Sequence, residues 1–422
     1  MTGEEAIAYI HSFQWQGHAP GLERIRRLLR ALGDPQRALR FVHVAGTNGK
    51  GSTCACIAAI LQAAGYRVGL NTSPYLTVFH ERIRVNGAMI SDGDLAALTE
   101  RVRPAAEAMG EHPTEFELIT AIALLYFREQ GCDIVVLEVG LGGALDASNV
   151  IDTPEAAVLT AMGMDHMAQL GPTLADIAAA KAGIIKPGGA VVSYGGCPEA
   201  DAVFRSTCRE RGAALREVDF SRLGDCRLAL SGGAFTLAPY GELRIPLAGA
   251  YQVKNAVTAV TAAEVLAERG WAISPEDIRR GLAAVCWPGR FEVLRRRPAV
   301  LLDGAHNAHG MAAAAESLGM LFPGRRVTVV LGVLADKDVG EMLDCLAPLA
   351  EQVFAVRPDS PRALEAEALC RLLAERGVAA RPCRTVGEAV AAAIRTAGPE
   401  GVVCALGSLY FSGAVRRAVE ES

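Results

Sequence analysis

The sequence lacks any long apolar run and any Cys-x-x-Cys pair, and each absence excludes a class of protein. No stretch of the 422 residues has the length and unbroken apolarity of a membrane span, and the amino-terminal MTGEEAIAYI carries acids where a secretory signal carries a basic segment. The eleven cysteines form no metal-binding or redox pair of that spacing. We therefore expect a cytoplasmic protein with reduced, mostly buried thiols.

The sequence also lacks a strong excess of charge and the composition of a disordered chain. Its formal net charge is -5, which argues against nucleic acid as the main partner. Hydrophobic residues make up 51% and charged residues 21%, a balance typical of globular proteins. A chain of 422 residues is too long for one ordinary core, so we expect two domains.

Short β-branched segments alternate with longer helical patterns, which predicts an α/β fold with a mainly parallel sheet. The predicted strands in the first part of the chain cover residues 41–45, 66–71, 133–139, 156–162 and 190–194. A glycine-rich turn follows the first strand and leads into a helix from Thr53 to Ala64, with Gly65 at its C-cap. Asn86-Gly87 between two short strands predicts a hairpin, a small antiparallel excursion from the sheet.

The later part of the chain predicts a second, smaller α/β domain. Between Cys226 and Leu247 apolar and polar residues alternate and glycines interrupt the pattern, which predicts an antiparallel meander at the edge of the first domain. Helical patterns resume near Tyr251. The prolines, glycine and arginines of residues 288–298 mark a linker, so we predict domains at 1–296 and 297–422. The predicted strands of the second domain cover residues 299–303, 326–332, 352–356 and 401–407.

The clearest chemical signal is GTNGKGS, which lies between a predicted buried strand and a helix. The loop consists of Gly46, Thr47, Asn48, Gly49, Lys50, Gly51 and Ser52. Backbone N–H groups of such a turn face an anion at the positive end of the helix, and Lys50 supplies charge for β and γ phosphates. It is not a strict Walker A motif, since Val44 stands at the first glycine position and Gly51 separates Lys50 from Ser52. The alternative is a tight turn with a solvated lysine.

Three polar residues follow other strands at the same predicted edge of the sheet. Glu138 lies near the carboxyl end of an apolar strand, where burial of its carboxylate requires a metal ion or a salt bridge. Ser73 and His166 each fall just past a strand. Ligands of open α/β sheets bind along this edge, so we expect these residues to converge with the phosphate loop. Taken singly, a serine such as Ser73 is more often an N-cap or turn residue and a histidine such as His166 more often a satisfied loop residue.

The remaining candidates are ambiguous by themselves. Lys181 sits among alanines on a predicted helix and reads as an ordinary helix lysine. Asp303 and His306 belong to the turn LLDGAHN after an apolar strand, where an aspartate is as often a helix N-cap as a ligand contact. Arg290, just ahead of the linker, is positioned to reach a phosphate from the domain junction.

Together these motifs resemble folylpolyglutamate synthase, sometimes also dihydrofolate synthase, within the Mur ligase superfamily. The resemblance runs in order along nearly the whole chain, through HVAGTNGKGS at 43, TSPYL at 72, LEVGLGG at 137, MDHMAQLG at 164, KAGIIKPG at 181, PGRFE at 288, DGAHN at 303 and DKD at 336. GTNGKGS together with LEVGLGG and DGAHN is specific, whereas DKD alone is not. The resemblance implies an N-terminal P-loop domain and a smaller Rossmann-like C-terminal domain.

The resemblance also implies a role for each candidate. The phosphate loop would hold the phosphates of ATP, with Lys50 in a catalytic role. The other implied roles are Mg²⁺ ligation by Ser73, Glu138 and His166, ATP contact by Asn255, Arg290 and Asp303, catalysis by His306, and proximity of Asp146 to the pterin. Lys181 matches a lysine that this family carboxylates on its amine to support metal binding.

Two departures from the family pattern fall near the expected acceptor. Tyr75 stands where many members carry histidine in TSPHL, and residues 167–169 replace a more usual Thr-Asp-Trp. Both leave the residues assigned to ATP unchanged.

The implied reaction joins L-glutamate to a folate or dihydropteroate carboxylate through an acyl phosphate formed from ATP. We expect these small molecules as the only partners, with no nucleic acid or membrane, and a monomer. A Mur-type peptidoglycan ligase is the nearest rival, but only about 40 residues precede the phosphate strand, too few for the additional domain of such ligases. A non-catalytic ATP-binding module would be expected to have lost the metal-binding side chains at these positions. The residues present are all able to take part in metal binding or catalysis: Ser73, Glu138, His166 and Lys181.

Overall fold

The computed structural model describes residues 1–13 and 20–422. By their contacts the described residues form two compact units. The first unit draws on residues 1–162, 167–220 and 255–282, and the second on 163–166, 221–254 and 283–422. The domain boundary predicted after residue 296 stays a prediction.

An eight-stranded sheet forms the centre of the first unit in the described part of the chain. Its strands are β1 (Phe41–Ala45), β2 (Val68–Asn71), β3 (Ile83–Val85), β4 (Ala88–Met89), β5 (Ile134–Glu138), β6 (Ala156–Leu159), β7 (Ala190–Ser193) and β8 (Ala214–Glu217). They are arranged in the order β4-β3-β2-β5-β1-β6-β7-β8, and the pairs from β2 to β8 are all parallel. Strands β1 and β5 are buried along their whole length, as central parallel strands covered on both faces must be.

The predicted antiparallel excursion is confirmed at the edge of this sheet. Strand β3 pairs antiparallel with both β2 and β4. Asn86 and Gly87 connect β3 to β4 with φ of 48° and 80°, the left-handed pair that a type I′ hairpin turn requires.

Helices cover the sheet of the first unit. They are α1 (Gly3–His11), α2 (Glu23–Ala31), α3 (Lys50–Ala63), α4 (Asp92–Glu107), α5 (Glu115–Glu129), α6 (Met167–Leu170), α7 (Leu174–Ala182) and α8 (Pro198–Arg211). Helices α9 (Ala250–Glu268) and α10 (Pro275–Ala284) are each divided between the two units. One apolar core joins α1, α2, α4 and α5 to the sheet, where Leu118 and Ile122 of α5 belong to the same cluster as Val135 and Leu137 of β5.

The second unit contains two sheets within the described residues. Strands β9 (Leu223–Ala229), β10 (Gly232–Leu237) and β11 (Gly241–Ile245) form an antiparallel meander. The larger sheet has strands β12 (Glu292–Arg296), β13 (Ala299–Leu302), β14 (Val327–Leu331), β15 (Ala350–Ala355), β16 (Ala379–Pro382) and β17 (Val402–Leu406), in the order β12-β13-β17-β14-β15-β16. All its pairs are parallel except β12 with β13. The α/β class and mainly parallel sheets expected from the sequence are confirmed.

Five further helices accompany these sheets in the described residues: α11 (Ala308–Leu321), α12 (Val339–Leu346), α13 (Ala366–Ala374), α14 (Val386–Ala397) and α15 (Ser412–Glu420). Two apolar clusters of described residues belong to this unit. One joins α11 and α12 to β14 through Met311, Met342 and Val329, and the other joins α14 and α15 to β13 through Val390, Val415 and Val300.

Two expectations for the middle of the chain differ from the structure. The segment 288–298, predicted as a linker, contains β12, which pairs with β13 as an edge strand. The meander, predicted at the edge of the first domain, has its contacts within the second unit. Among the described residues no helix combines the length and apolarity that crossing a membrane requires.

Candidate active site

The glycine-rich loop connects the carboxyl end of β1 to the first turn of α3. Gly46 has φ 154° and Gly49 has φ 80°, both in the region that favours glycine. A Cβ on Gly46 would overlap the hydroxyl of Thr160, and a Cβ on Gly49 would lie 2.5 Å from Oδ1 of Asn255. These two glycines are therefore required by close approach as well as by backbone conformation.

Hydrogen bonds from the segment after β6 hold this loop in place. The N–H groups of Thr47 and Asn48 donate to the carbonyl of Ala161 at 3.0 and 3.1 Å. The Thr160 hydroxyl donates to the carbonyl of Asn48 at 2.8 Å. The loop is consequently preorganised by the neighbouring strand end, and its remaining N–H groups lie at the positive end of α3.

Two lysines contact the same loop. Nζ of Lys50 donates to the carbonyl of Thr47 at 3.3 Å, and Nζ of Lys181 donates to the carbonyl of Gly46 at 2.8 Å. Lys181 lies on α7 and is only 5% exposed. An ordinary helix lysine keeps its ammonium in water. Because Lys181 is buried beneath the loop, it is not a lysine of that ordinary kind.

Glu138 lies at the end of β5, next to the phosphate-loop strand. Its side chain is 4% exposed, and its Oε2 atom accepts the N–H of Ser73 at 2.9 Å. Burial raises the pKa of the Cys54 thiol well above its ordinary value, and Glu138 raises it further while Lys50 lowers it. Ser73, which follows β2, thus contacts Glu138 at the end of β5, and the Glu138 carboxylate and the Lys50 ammonium are both close enough to Cys54 of α3 to affect its pKa.

The residues at this edge suit a magnesium ion better than a closed metal cage. Among the described residues no group of three His, Cys, Asp or Glu side chains is arranged to hold a metal. The Ser52 hydroxyl, in the first turn of α3, is buried and has no hydrogen-bond partner in the described chain. Mg²⁺ commonly takes one or two carboxylates and completes its octahedron with water and substrate phosphates. The buried hydroxyl and the single carboxylate of Glu138 fit that pattern.

His166 follows β6 in the left-handed region, with φ 53°. The segment 163–166 makes its contacts with the second unit, whereas Glu138 and Ser73 belong to the first. A non-glycine residue at positive φ is uncommon and is found at functional sites more often than elsewhere. That His166 shares a metal with Glu138 stays a prediction.

Asp165, beside His166, anchors a polar cluster of the second unit that sequence reasoning did not single out. Its buried carboxylate lies 2.5 Å from Nζ of Lys337, accepts Nδ2 of Asn307 at 2.9 Å and lies 3.6 Å from Nε2 of His306. Burial alone would raise the pKa of Asp165, but His306, His166 and Lys337 together hold it well below its usual range. The motifs MDHMAQLG and DKD contain the two charged partners, but nothing local indicates that they meet.

Asp303 and Arg290 meet at the turn after β13. The Asp303 carboxylate accepts the Tyr251 hydroxyl at 2.5 Å, the N–H of Phe291 at 2.7 Å and the N–H of Ala305 at 2.8 Å. The Arg290 guanidinium lies against Gly304, where a Cβ would overlap Nη1. Asp303 therefore organises the turn, and burial together with this carboxylate raises the pKa of Tyr251 well above its ordinary value. Tyr251 was not identified from the sequence.

His306 and Asn307 complete that turn. Nδ1 of His306 is 2.7 Å from the carbonyl of Gly304, to which it donates, and Nε2 lies on the side of Asp165. The side chain of Asn307 accepts the N–H of Gly310 at 2.7 Å and forms the N-cap of α11. The N-cap role considered for Asp303 thus belongs to Asn307.

The last two sequence candidates lie in the first unit. Asn255, buried on α9, places its amide beside Gly49 of the phosphate loop. Asp146 is buried in the loop after β5, where its carboxylate accepts the N–H groups of Gly140 and Leu141 at 3.1 and 2.9 Å. Each is therefore held near a strand end that carries another candidate.

Comparison with family models matches both halves of the chain. The Mur ligase middle domain matches residues 44–263, and the glutamate ligase domain of Mur ligases matches residues 289–409. The chain is 40% identical to folylpolyglutamate synthase of Lacticaseibacillus casei over 99% of both chains. It is 41% identical to dihydrofolate synthase/folylpolyglutamate synthase of Bacillus subtilis over 85% of this chain and 86% of that one.

Solved structures give the same result at the level of the fold. A Mycobacterium tuberculosis folylpolyglutamate synthase complexed with ADP has a TM-score of 0.92 and 31% identity, covering 99% of this chain and 98% of that one. E. coli FolC in complex with DHPP and ADP has a TM-score of 0.88 and 32% identity, covering 100% and 98%.

Proposed function

Because the chain belongs to the folylpolyglutamate and dihydrofolate synthase family of Mur ligases, we propose that it joins L-glutamate to the carboxylate of a folate. It is an ATP-dependent ligase, and ATP is its nucleotide substrate. The resemblance drawn from the motifs is confirmed by these relatives. We propose in addition that the acceptor range includes dihydropteroate and that the enzyme is a cytoplasmic monomer.

The placement of two lysines and one buried carboxylate around the phosphate loop supports its assignment as the ATP site. Lys50 and Lys181 donate to two carbonyls of the loop, and the buried Glu138 carboxylate lies at the adjoining strand end. A simple tight turn would leave its lysine in water and would require no second ammonium. This arrangement supports a site that grips a polyanion.

ATP makes an otherwise poor electrophile reactive. A carboxylate does not react with an amine at useful rates, because its carbon is a weak electrophile and its oxygen a poor leaving group. One oxygen of the folate carboxylate attacks the γ-phosphorus of ATP in line, the bond to the β,γ-bridging oxygen breaks, and ADP leaves. The glutamate amine then attacks the acyl carbon, a proton is lost from nitrogen, and inorganic phosphate departs with the original carboxylate oxygen. Lys50 stabilises the negative charge on the transferring phosphoryl oxygens.

We propose that Ser73, Glu138 and His166 hold Mg²⁺, with the Ser52 hydroxyl directed to the same ion. Bound there, the ion would neutralise phosphate charge. Carboxylation of Lys181 is a separate proposal, and mass spectrometry of the intact protein in bicarbonate buffer tests it through the added mass of one CO₂. The amine of Lys181 donates to the phosphate loop without any such modification.

We propose that Asn255, Arg290 and Asp303 contact ATP and that His306 acts beside the transferring phosphate. Asp303 already orients Tyr251, while Arg290 offers a guanidinium beside the same turn. Asp146 would hold the acceptor loop near the pterin. These roles are supported by the burial of Asn255, Asp303 and Asp146, whereas Arg290 and His306 are half-buried.

The decisive experiment measures ADP release with Mg²⁺, ATP and L-glutamate, with dihydropteroate in one reaction and tetrahydrofolate in another. Activity with both acceptors establishes a bifunctional enzyme, and activity with one assigns it. A UDP-sugar acid in a third reaction tests the peptidoglycan alternative. Bound ATP without acceptor-dependent ADP release in any reaction would favour a non-catalytic module and overturn the proposed function.

A further inference from the structure

A chain of buried hydrogen bonds links the strand that leads into the phosphate loop to the loop that follows β5. His43 lies on β1, and its Nε2 atom is 2.8 Å from Oγ of Ser148. Oγ of Ser148 is 2.5 Å from Oδ1 of Asp146. His43 and Ser148 have no solvent exposure, and Asp146 is buried with them.

The chemistry of the three groups fixes the direction of these bonds. An ionised carboxylate can only accept, so the Ser148 hydroxyl donates its proton to Asp146 and its oxygen accepts Nε2–H of His43. Burial, with a smaller contribution from Lys186, lowers the pKa of His43 to about 3, and the imidazole is therefore neutral. Its Nδ1 atom is unprotonated and has no hydrogen-bond partner among the described residues.

The Asp146 carboxylate connects the two ends of the loop that follows β5. Besides the Ser148 hydroxyl it accepts the N–H of Ser148 at 3.0 Å and those of Gly140 and Leu141. Gly140 is the second residue after Glu138, the last residue of β5. The Asp146 carboxylate therefore connects the start of the loop after β5 to Ser148 near the end of that loop. Burial raises the pKa of Asp146, and the four donors oppose that rise.

Packing alone does not explain a histidine at this position of β1. The four other residues of the strand are apolar and all five are buried, so an aliphatic side chain would fit the same surroundings without desolvating two ring nitrogens. Because Nδ1 has no partner in the described part of the chain, its burial adds to that cost. What the histidine supplies and an aliphatic residue cannot is an N–H donor that reaches Ser148.

We propose that His43 and Ser148 are positioning residues for the acceptor. Their hydrogen bonds orient the Asp146 carboxylate and thereby fix the loop of residues 140–149, against which the folate or dihydropteroate binds. This inference rests on the proposed function, in which that loop faces the acceptor. It predicts that disturbing the chain weakens acceptor binding without weakening ATP binding, although His43 itself lies on the phosphate-loop strand.

The test compares Ser148→Ala with Ser148→Thr, which keeps the hydroxyl. The control is Thr99→Val, which removes another fully buried hydroxyl, one that donates to the Leu95 carbonyl within α4. Initial rates of ADP release give KM for the acceptor and for ATP, and thermal melts report folding. We expect Ser148→Ala to raise the acceptor KM on the order of tenfold, as loss of one hydrogen bond to a charged group does, with the ATP KM unchanged. Ser148→Thr should restore the acceptor KM.

If Ser148→Ala does not fold, a second pair of variants tests the same chain of hydrogen bonds at its other end. His43→Gln retains an N–H donor and should keep the acceptor KM near that of the unmodified enzyme, whereas His43→Leu should raise it. An unchanged acceptor KM in Ser148→Ala or His43→Leu, or a parallel rise in both KM values, would overturn the positioning role while leaving the ligase function intact. Absence of acceptor-dependent ADP release in the unmodified enzyme would instead remove the function and the inference together.

Discussion

Replacing Gly49 with alanine tests whether the phosphate loop works through close approach of its backbone. Gly49 has φ 80°, where an L-residue costs about 1–2 kcal/mol. The added Cβ would lie 2.5 Å from Oδ1 and 3.1 Å from Cγ of Asn255, so the loop or the amide must move by about 1 Å to reach ordinary contact. A displacement of that size at a reacting site costs on the order of 10²-fold in rate, and we expect kcat/KM for ATP to fall by that amount.

A matched control lies at the other end of the same helix. Gly65 has φ 91°, and a Cβ there would meet nothing within 4 Å, so Gly65→Ala carries the backbone cost without the collision. ADP release measures kcat/KM, and urea unfolding measures stability. Gly65→Ala should lose about 1–2 kcal/mol of stability and keep its kcat/KM. Unimpaired ATP turnover in Gly49→Ala, or an equal loss in the control, would refute the reasoning.

Four other predictions follow from the same structure. Lys50→Ala should abolish ADP formation while the thermal melt stays close to that of the unmodified enzyme; near-normal turnover would remove the phosphate-loop assignment. Ser52→Ala should raise the Mg²⁺ concentration needed for half-maximal activity at least about tenfold. Thr53→Val removes the neighbouring hydroxyl, which also has no partner among the described residues, and should not raise it; equal shifts would argue against Ser52 as a ligand. Lys337→Met should destabilise the fold by about 3 kcal/mol, because it leaves the buried Asp165 carboxylate without its closest cation, and Asp165→Asn in that background should recover part of the loss. The pKa of Asp165 is lower in the folded than in the unfolded chain, so its stabilising contribution is complete above about pH 5 and is lost as the pH falls below about 4. Urea unfolding at a series of pH values should show a larger loss of stability in acid for the unmodified protein than for Asp165→Asn.

The central strands and the phosphate loop could be predicted because their signals are local. Strands β1 and β5 are apolar apart from one residue each, His43 and Glu138, and the two strained positions between β1 and α3 are both glycine. The carboxyl ends of parallel strands lie at the same edge of the sheet. The hydrogen bond between Ser73 and Glu138 could therefore be anticipated from the order of the elements alone.

What could not be predicted depends on contacts between distant segments. Asp165 and Lys337 are 172 positions apart, and neither has a local pattern that distinguishes it from a surface charge. Tyr251 reaches Asp303 across 52 positions in the same way. The sequence predicts a linker at strand β12 because prolines flank its arginine cluster, but edge strands tolerate both residue types.

The elevated pKa of Cys54 also has a practical consequence. Alkylating reagents attack thiolates, so this cysteine stays chemically silent while α3 and its loop are closed over it, although it lies four residues past Lys50. Cys226 and Cys286 are exposed and would be labelled first. The rate at which Cys54 is modified would then measure how often α3 and the glycine-rich loop open to solvent, so this native side chain reports local unfolding of that segment.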